Sequence, residues 1–496
     1  MNTPTWIARG VSRLRPKADP ADAADAVDKK PLVELPAAAR KKAPEPLPRT
    51  LAERLEATLR RHGEGLAPRT LRRVLVDLQA VVDSRLSEVE AGRRACEIVK
   101  WYATCEPDER RDLWLLMSER FAPDPKKLNT ARDRHQAAMG TPDEGQAEVH
   151  LRRALASPRA RLLQRFAIDP GGMRFLVDLR AELLPHLKGD RRLVPLDAEL
   201  EHLFSTWFDV AFLELRRISW DSPASLIEKL IQYEAVHDIK SWSDVKNRLD
   251  DGDRRCYGFF HPRLPNVPLI FVEVALVDHI SPGIVPLLDE AAAVVRPDKA
   301  TTAIFYSISN TQNGLRGVSF GDSLIKRVVE TLQDELPRLK VFATLSPVPG
   351  FRSWLAKHAD ALLARLDDKR ATALGRALGA TPPTPARLLP AADNVLALDD
   401  KSPVRQFLMS AAAEYLGRTM VEGKPVDPVA RFHLGNGARV ERLNWAGDPS
   451  GKGLKQSYGL MVNYLYDLKR LDKHRALLAQ GRPAVAGEVE GLFLKG

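Results

Sequence analysis

Thr301-Thr302-Ala303-Ile304-Phe305-Tyr306-Ser307-Ile308-Ser309 is a run of β-branched, aromatic and small residues that reads as a buried strand. It is followed by Gly314-Leu315-Arg316-Gly317-Val318-Ser319-Phe320-Gly321-Asp322 and then by a helical segment from Ser323 to Leu336. Ile325, Val328, Val329, Leu332 and Leu336 make one apolar stripe along that segment. A strand, a glycine-rich loop and a helix in this order form a phosphate cradle, because glycines let backbone amides approach an anion and the helix start favours negative charge. The loop matches neither the P-loop pattern nor the dinucleotide-binding fingerprint, and an ordinary turn is the alternative reading.

Outward from this unit, strand-like runs recur at Pro268 to Val277, Lys340 to Leu345 and Tyr458 to Leu465. Helical segments are expected at Leu200 to Leu215 and Pro223 to Glu234, so the region mixes strands and helices. Leu374 to Pro390, rich in Gly and Pro, reads as a surface excursion. N-terminal to all this the grammar is helical: Leu71, Val74, Leu75, Leu78 and Val82 share one face behind a Pro68 start signal, and periodic segments follow over Cys96–Phe121 and Ala147–Phe166. Gly189-Asp190-Arg191-Arg192 before Pro195 breaks that pattern. The expected organisation is a disordered tail over 1–49, a helical domain over 50–194 and a mixed catalytic domain over 195–496, an α+β chain.

The 496 residues carry a net charge of +10, but Lys and Arg are interleaved with Asp and Glu, which argues for a small phosphorylated ligand over nucleic acid. Three cysteines, Cys96, Cys105 and Cys256, show no Cys-x-x-Cys pairing, so neither a disulfide framework nor a structural zinc is expected. No apolar run approaches the roughly 20 residues that span a bilayer. A cytoplasmic protein without membrane partners is the expectation.

Two further clusters carry chemistry. Val341-Phe342-Ala343-Thr344-Leu345 ends in Ser346-Pro347-Val348-Pro349-Gly350, where two prolines restrict the serine at a strand end; a tight turn is the plain alternative. No Gly-x-Ser-x-Gly elbow surrounds Ser346, which argues against an acyl-enzyme. His433 stands beside Gly435-Asn436-Gly437, where a flexible backbone would set the imidazole next to exposed amides; a structural histidine is the alternative. No ligand spacing accompanies it, so no metal is expected.

Taken together, Thr301 to Ser309, Ile325-Lys326-Arg327-Val328-Val329, Leu345 to Phe351, Phe432-His433-Leu434-Gly435-Asn436-Gly437-Ala438 and Gly459-Leu460-Met461-Val462-Asn463-Tyr464 resemble, in the same order, the malonyl-CoA decarboxylases. The resemblance is strong over about 195–470 and looser over 50–194. It implies a helical N-terminal domain joined to a catalytic domain similar to the Gcn5-related N-acetyltransferases. It also implies conversion of malonyl-CoA to acetyl-CoA and carbon dioxide without a dissociable cofactor. By resemblance the active-site serine and histidine fall on Ser346 and His433, and an active-site tyrosine falls on Tyr466. The CoA pyrophosphate loop falls on Arg316, Gly317, Val318, Ser319, Phe320, Gly321 and Asp322. Animal members carry an acidic residue where this chain has Ser319, which puts an essential carboxylate there in doubt.

The chain ends Phe493-Leu494-Lys495-Gly496 without a Ser-Lys-Leu address, in keeping with a bacterial-type cytoplasmic enzyme. His433, with an ordinary pKa near 6.5, is the expected proton donor and Ser346 the group that orients substrate, although the reverse assignment is chemically open. Self-association through the helical domain is expected. The rival readings are an acyl-CoA-dependent acyltransferase and a non-catalytic CoA-binding scaffold.

Overall fold

A computed structural model describes residues 65–250, 252–318 and 323–494; the tail over 1–49 and the loop residues Ser319 to Asp322 lie outside the described residues. Two compact units emerge, Met1–Asp169 with His186–Leu196 and Pro170–Pro185 with Asp197–Gly496.

Helices alone build the described part of the first unit. Pro68–Val82 starts at a proline that needs no amide partner there and buries Leu71, Val74, Leu75, Leu78 and Val81. The stripe shifts from Val82 to Val81 at the helix end, where the chain turns extended at Asp83. The periodic stretches each resolve into two helices. Glu88–Tyr102 and Pro107–Arg120 are separated at Glu106, which caps the second in a reciprocal capping box with Glu109. Glu144–Leu155 and Pro158–Phe166 are separated at Ser157.

In the second unit the described strands are β1 (Glu214–Ile218), β2 (Arg254–Phe260), β3 (Pro268–Val277), β4 (Thr302–Asn310), β5 (Val341–Thr344), β6 (Ser346–Pro347), β7 (Met420–Val421), β8 (Lys424–Pro425), β9 (Arg439–Asn444) and β10 (Met461–Leu465). β7 and β8 form a separate small ribbon. The main sheet runs β1-β2-β3-β4-β5-β10-β6, with β9 on β10. Its pairs are antiparallel except β4 and β5, which run parallel because the helix Ser323–Glu335 carries the chain across between them. The strand β4, the helix and the parallel strand β5 thus form a mixed α/β core. β3 is buried at all ten positions, as its near-continuous apolar sequence requires. Its one ionisable side chain, Glu273, accepts from Arg248, which also binds Asp244.

Three expected elements change. The helix expected at Leu200–Leu215 is Val194–Trp207, followed by a short 3₁₀ turn at Val210–Phe212 that Asp209 caps, and then by β1. The C-terminal strand begins only at Met461, because Tyr458 and Gly459 take left-handed conformations (φ 55° and 75°) that end the helix Gly451–Ser457. The Gly- and Pro-rich stretch from Leu374 is not an excursion. It comprises the end of helix Asp368–Leu378, closed by left-handed Gly379, and helix Pro385–Ala392 started by its proline, with Leu374 and Leu388 buried.

Candidate active site

Ser346 is placed by the parting of two strands. Leu345 still donates its backbone N–H to Phe305 of β4, whereas Ser346 pairs with Val462 of β10. Thr344 and Ser346, two apart on an extended run, therefore present side chains to the same side. Ser346 donates to Thr344 Oγ1 at 2.8 Å, and the Tyr464 N–H reaches the same oxygen at 3.2 Å. Gly350, at the start of helix Phe351–Leu363, admits no side chain: a Cβ there would lie 2.4 Å from the Tyr415 hydroxyl.

His433 sits in the last turn of helix Pro428–Gly435, whose start is capped by buried Asp427 accepting from Val429 and Ala430 amides. The glycines beside it do not hold exposed amides against the ring. Gly437, at φ 85°, closes the helix and lets the backbone of Leu471 pass where a Cβ would be 2.6 Å away. The imidazole projects into the protein. Its Nε2 lies 3.2 Å from Ser346 Oγ and its Nδ1 lies 2.8 Å from the Tyr466 hydroxyl. Ser346, His433 and Tyr466, far apart in the chain, thus form one buried file of hydrogen bonds. Thr344 and Tyr464 complete it and escaped the sequence reading; the period-two spacing of Thr344 and Ser346 is the signal that would have found the first.

Burial sets the electrostatics. It pushes His433 down from its ordinary value to about 3, so the ring is neutral at pH 7. The same desolvation pushes the Tyr464 and Tyr466 phenols well above their usual range, and both stay protonated. Asp427, also buried, is raised to about 6.

The glycine-rich loop is anchored from behind. Gly314 packs so closely that a Cβ would fall 1.9 Å from the Val177 carbonyl oxygen. The guanidinium of buried Arg180 donates to the carbonyls of Gly314 and Arg316 while pairing with Asp197 and Glu201. Arg180 is a further residue that sequence reasoning missed, since nothing local marks it. The amides of Arg316 and Val318 are engaged by the carbonyls of Asn313 and Leu315, and Gly317 is exposed at φ 86°. The helix that follows the loop reaches the histidine site: Ile325, Lys326 and Val329 line a cavity of about 20 Å³ with Asn436, Tyr466 and Arg475. Among the described residues no group of three or more His, Cys, Asp or Glu side chains is placed to hold a metal ion.

Family models match both parts of the chain, the malonyl-CoA decarboxylase N-terminal domain over residues 121–208 and the malonyl-CoA decarboxylase C-terminal domain over 211–495. The chain belongs to the malonyl-CoA decarboxylase family. The crystal structure of malonyl-CoA decarboxylase from Rhodopseudomonas palustris is 41% identical, covers 85% of this chain and 99% of its own, and superposes with a TM-score of 0.74. That from Cupriavidus metallidurans is 44% identical over 86% of this chain and 100% of its own, with a TM-score of 0.71. The mitochondrial malonyl-CoA decarboxylase of Anser anser anser is 36% identical over 408 residues, 76% of this chain and 79% of its own. Malonyl-CoA decarboxylases are carboxy-lyases, and family membership makes this protein an enzyme of that class.

Proposed function

We propose that the protein decarboxylates malonyl-CoA to acetyl-CoA, with Ser346, His433 and Tyr466 as its reacting centre. The bond between the carboxylate carbon and the methylene breaks, its electron pair passes into the thioester enolate, carbon dioxide leaves, and one proton is delivered to the methylene carbon. The observation that carries this reading is the buried Ser346–His433–Tyr466 file inside a malonyl-CoA decarboxylase fold.

Ser346 orients the malonyl group, and His433 supplies the proton. An imidazolium near pKa 6.5 does not fit a ring held down at about 3 by burial, so the donor is a neutral N–H. An enolate carbon is basic enough to take a proton from so weak an acid, and the loss of charge suits a dry site. Tyr466 holds the far ring nitrogen. Hydrogen bonds to the developing enolate oxygen in such a site are each worth about 3 kcal/mol.

The segment from Arg316 to Asp322 grips the CoA phosphates at the start of helix Ser323–Glu335, with Arg316 and the Gly317 amide as its described donors. The small cavity shared by that helix and Tyr466 supports a short path from the phosphate end to the reacting end. The reading extends to a cytoplasmic enzyme, in keeping with three free cysteines, that self-associates through its helical unit. Incubation of purified, chelator-treated protein with malonyl-CoA tests the activity. Equal amounts of acetyl-CoA and carbon dioxide are expected, and unconsumed malonyl-CoA would refute it.

A further inference from the structure

Thr344 is fully buried, and its carbonyl and its hydroxyl oxygen are both committed to partners around the serine. Its carbonyl accepts from the Asn463 amide at 2.8 Å, and that amide also reaches the Ser281 carbonyl at 3.1 Å. Asn463 is held in turn by Asn444 at 2.8 Å, and Asn444 by Arg442 at 2.9 Å. The Thr344 backbone is further fixed by its register against Phe305 across the parallel pair. Its hydroxyl oxygen therefore stands at one place, accepting from the Tyr464 amide and from Ser346.

A count of protons then orders the whole file. A serine hydroxyl has one proton, and Ser346 spends it on Thr344, so towards His433 the serine oxygen only accepts. A neutral imidazole has one N–H, which must then sit on Nε2. Nδ1 is bare and accepts from the Tyr466 hydroxyl. In the opposite tautomer, the Nε2 lone pair would face the serine lone pairs.

We propose that Thr344 is the positioning residue of this site: by drawing the Ser346 proton away from His433 it fixes the Nε2–H tautomer, so that the serine acts as an acceptor and relay and not as a nucleophile. A nucleophilic serine needs the reverse polarity, with a bare ring nitrogen facing its O–H. The inference rests on the decarboxylase reading for its catalytic meaning, but the tautomer itself is a property of the free protein. Proton delivery then balances without a covalent intermediate. The serine proton passes to the enolate carbon, the Nε2 proton replaces it on Ser346, and one proton from solvent returns to Nε2, while Nδ1 keeps accepting from the Tyr466 hydroxyl, so that the ring ends the turnover as it began.

The test is the ¹⁵N spectrum of the ligand-free protein labelled in histidine, with the His433 signals identified by their loss in His433→Gln. The protein itself should show Nε2–H and bare Nδ1. Thr344→Val removes the acceptor, leaves His433 Nε2 as the acceptor for Ser346, and should convert the ring to Nδ1–H. It should lower kcat by about tenfold or more with KM changed less than about twofold, as expected when an interaction made in the transition state is lost. Thr344→Ser should restore both the tautomer and the rate. Nδ1–H in the unaltered protein, or an Nε2–H ring that persists in Thr344→Val, would overturn the proposal. If Thr344→Val fails to fold, the unaltered protein and Thr344→Ser still decide it, since both must show Nε2–H. Inactivity towards malonyl-CoA with the expected tautomers would remove the decarboxylase reading and leave the assigned polarity standing.

Discussion

The Tyr464 ring lies face to face with the His433 imidazole, with centroids 4.7 Å apart and planes inclined by 27°. Tyr464 and His433 come from a strand and a helix that are close neighbours in the fold but distant in the chain. The stack shields one face of the imidazole from water and contributes to the desolvation that keeps it neutral.

The Tyr464 hydroxyl is buried without a hydrogen-bond partner among the described residues. Removing an unsatisfied hydroxyl while keeping the ring relieves a cost of about 1–3 kcal/mol. Tyr464→Phe is therefore expected to unfold at equal or higher denaturant concentration, with kcat within about twofold of the original. A tenfold loss of kcat would instead mean that the phenol contacts substrate.

Ser346→Ala and His433→Gln should each lower kcat by about a hundredfold or more, the range for oxyanion and general acid groups. Because the two act in one hydrogen-bonded file, the double variant should be little worse than either single one. Multiplicative losses would show that the residues work independently.

The histidine contribution to stability should fall in acid, and its sign follows from burial. His433 and His237 are pushed down to about 3 and about 4, whereas unfolded histidines titrate near 6.5. The unfolded chain thus binds more protons as pH falls below 6.5, and each histidine removes about 1.4 kcal/mol of stability per pH unit until its folded pKa is reached. Glu273 and Asp427, raised to about 8 and about 6 by burial, work in the opposite sense, favouring the folded state as pH falls. The His433 share is accordingly read as a difference. Denaturant titrations should show a shallower loss between pH 6 and 4 in His433→Gln than in the unaltered protein.

At the phosphate loop, Arg316→Ala should raise KM for malonyl-CoA more than it lowers kcat. Arg180→Met should do more damage, since it breaks the buried ion pair with Asp197 from one side and strips the loop carbonyls of their donor. Breaking a buried pair on one side costs about 3–5 kcal/mol. Thermal unfolding and steady-state kinetics on both variants check this order, and an Arg180→Met protein as stable as the original would contradict the anchoring role.

Local pattern made much of this legible. The strands at Pro268 and Thr301 and the helix at Ser323 announce themselves by continuous or periodic apolar residues, and their observed limits differ by a residue or so. Arg254–Phe260 and Arg439–Asn444 did not, because their charged residues mask the strand signal until partners pair with them: Arg255 binds Glu335, and Arg439 binds Glu441. Ser346, His433 and Tyr466 were reachable through their motifs. Thr344 was marked only by its period-two spacing from Ser346, and Tyr464 and Arg180 by nothing local, since their roles arise only when β5, β10 and the loop are brought together by the sheet.

The measurement that tests the neutral-histidine mechanism most directly is the pH dependence of kcat for malonyl-CoA between pH 6.5 and 8.5. A neutral N–H donor, already fully formed in this range, predicts a level profile. A tenfold fall for each pH unit above 6.5 would show that an imidazolium is the acid and would contradict the account.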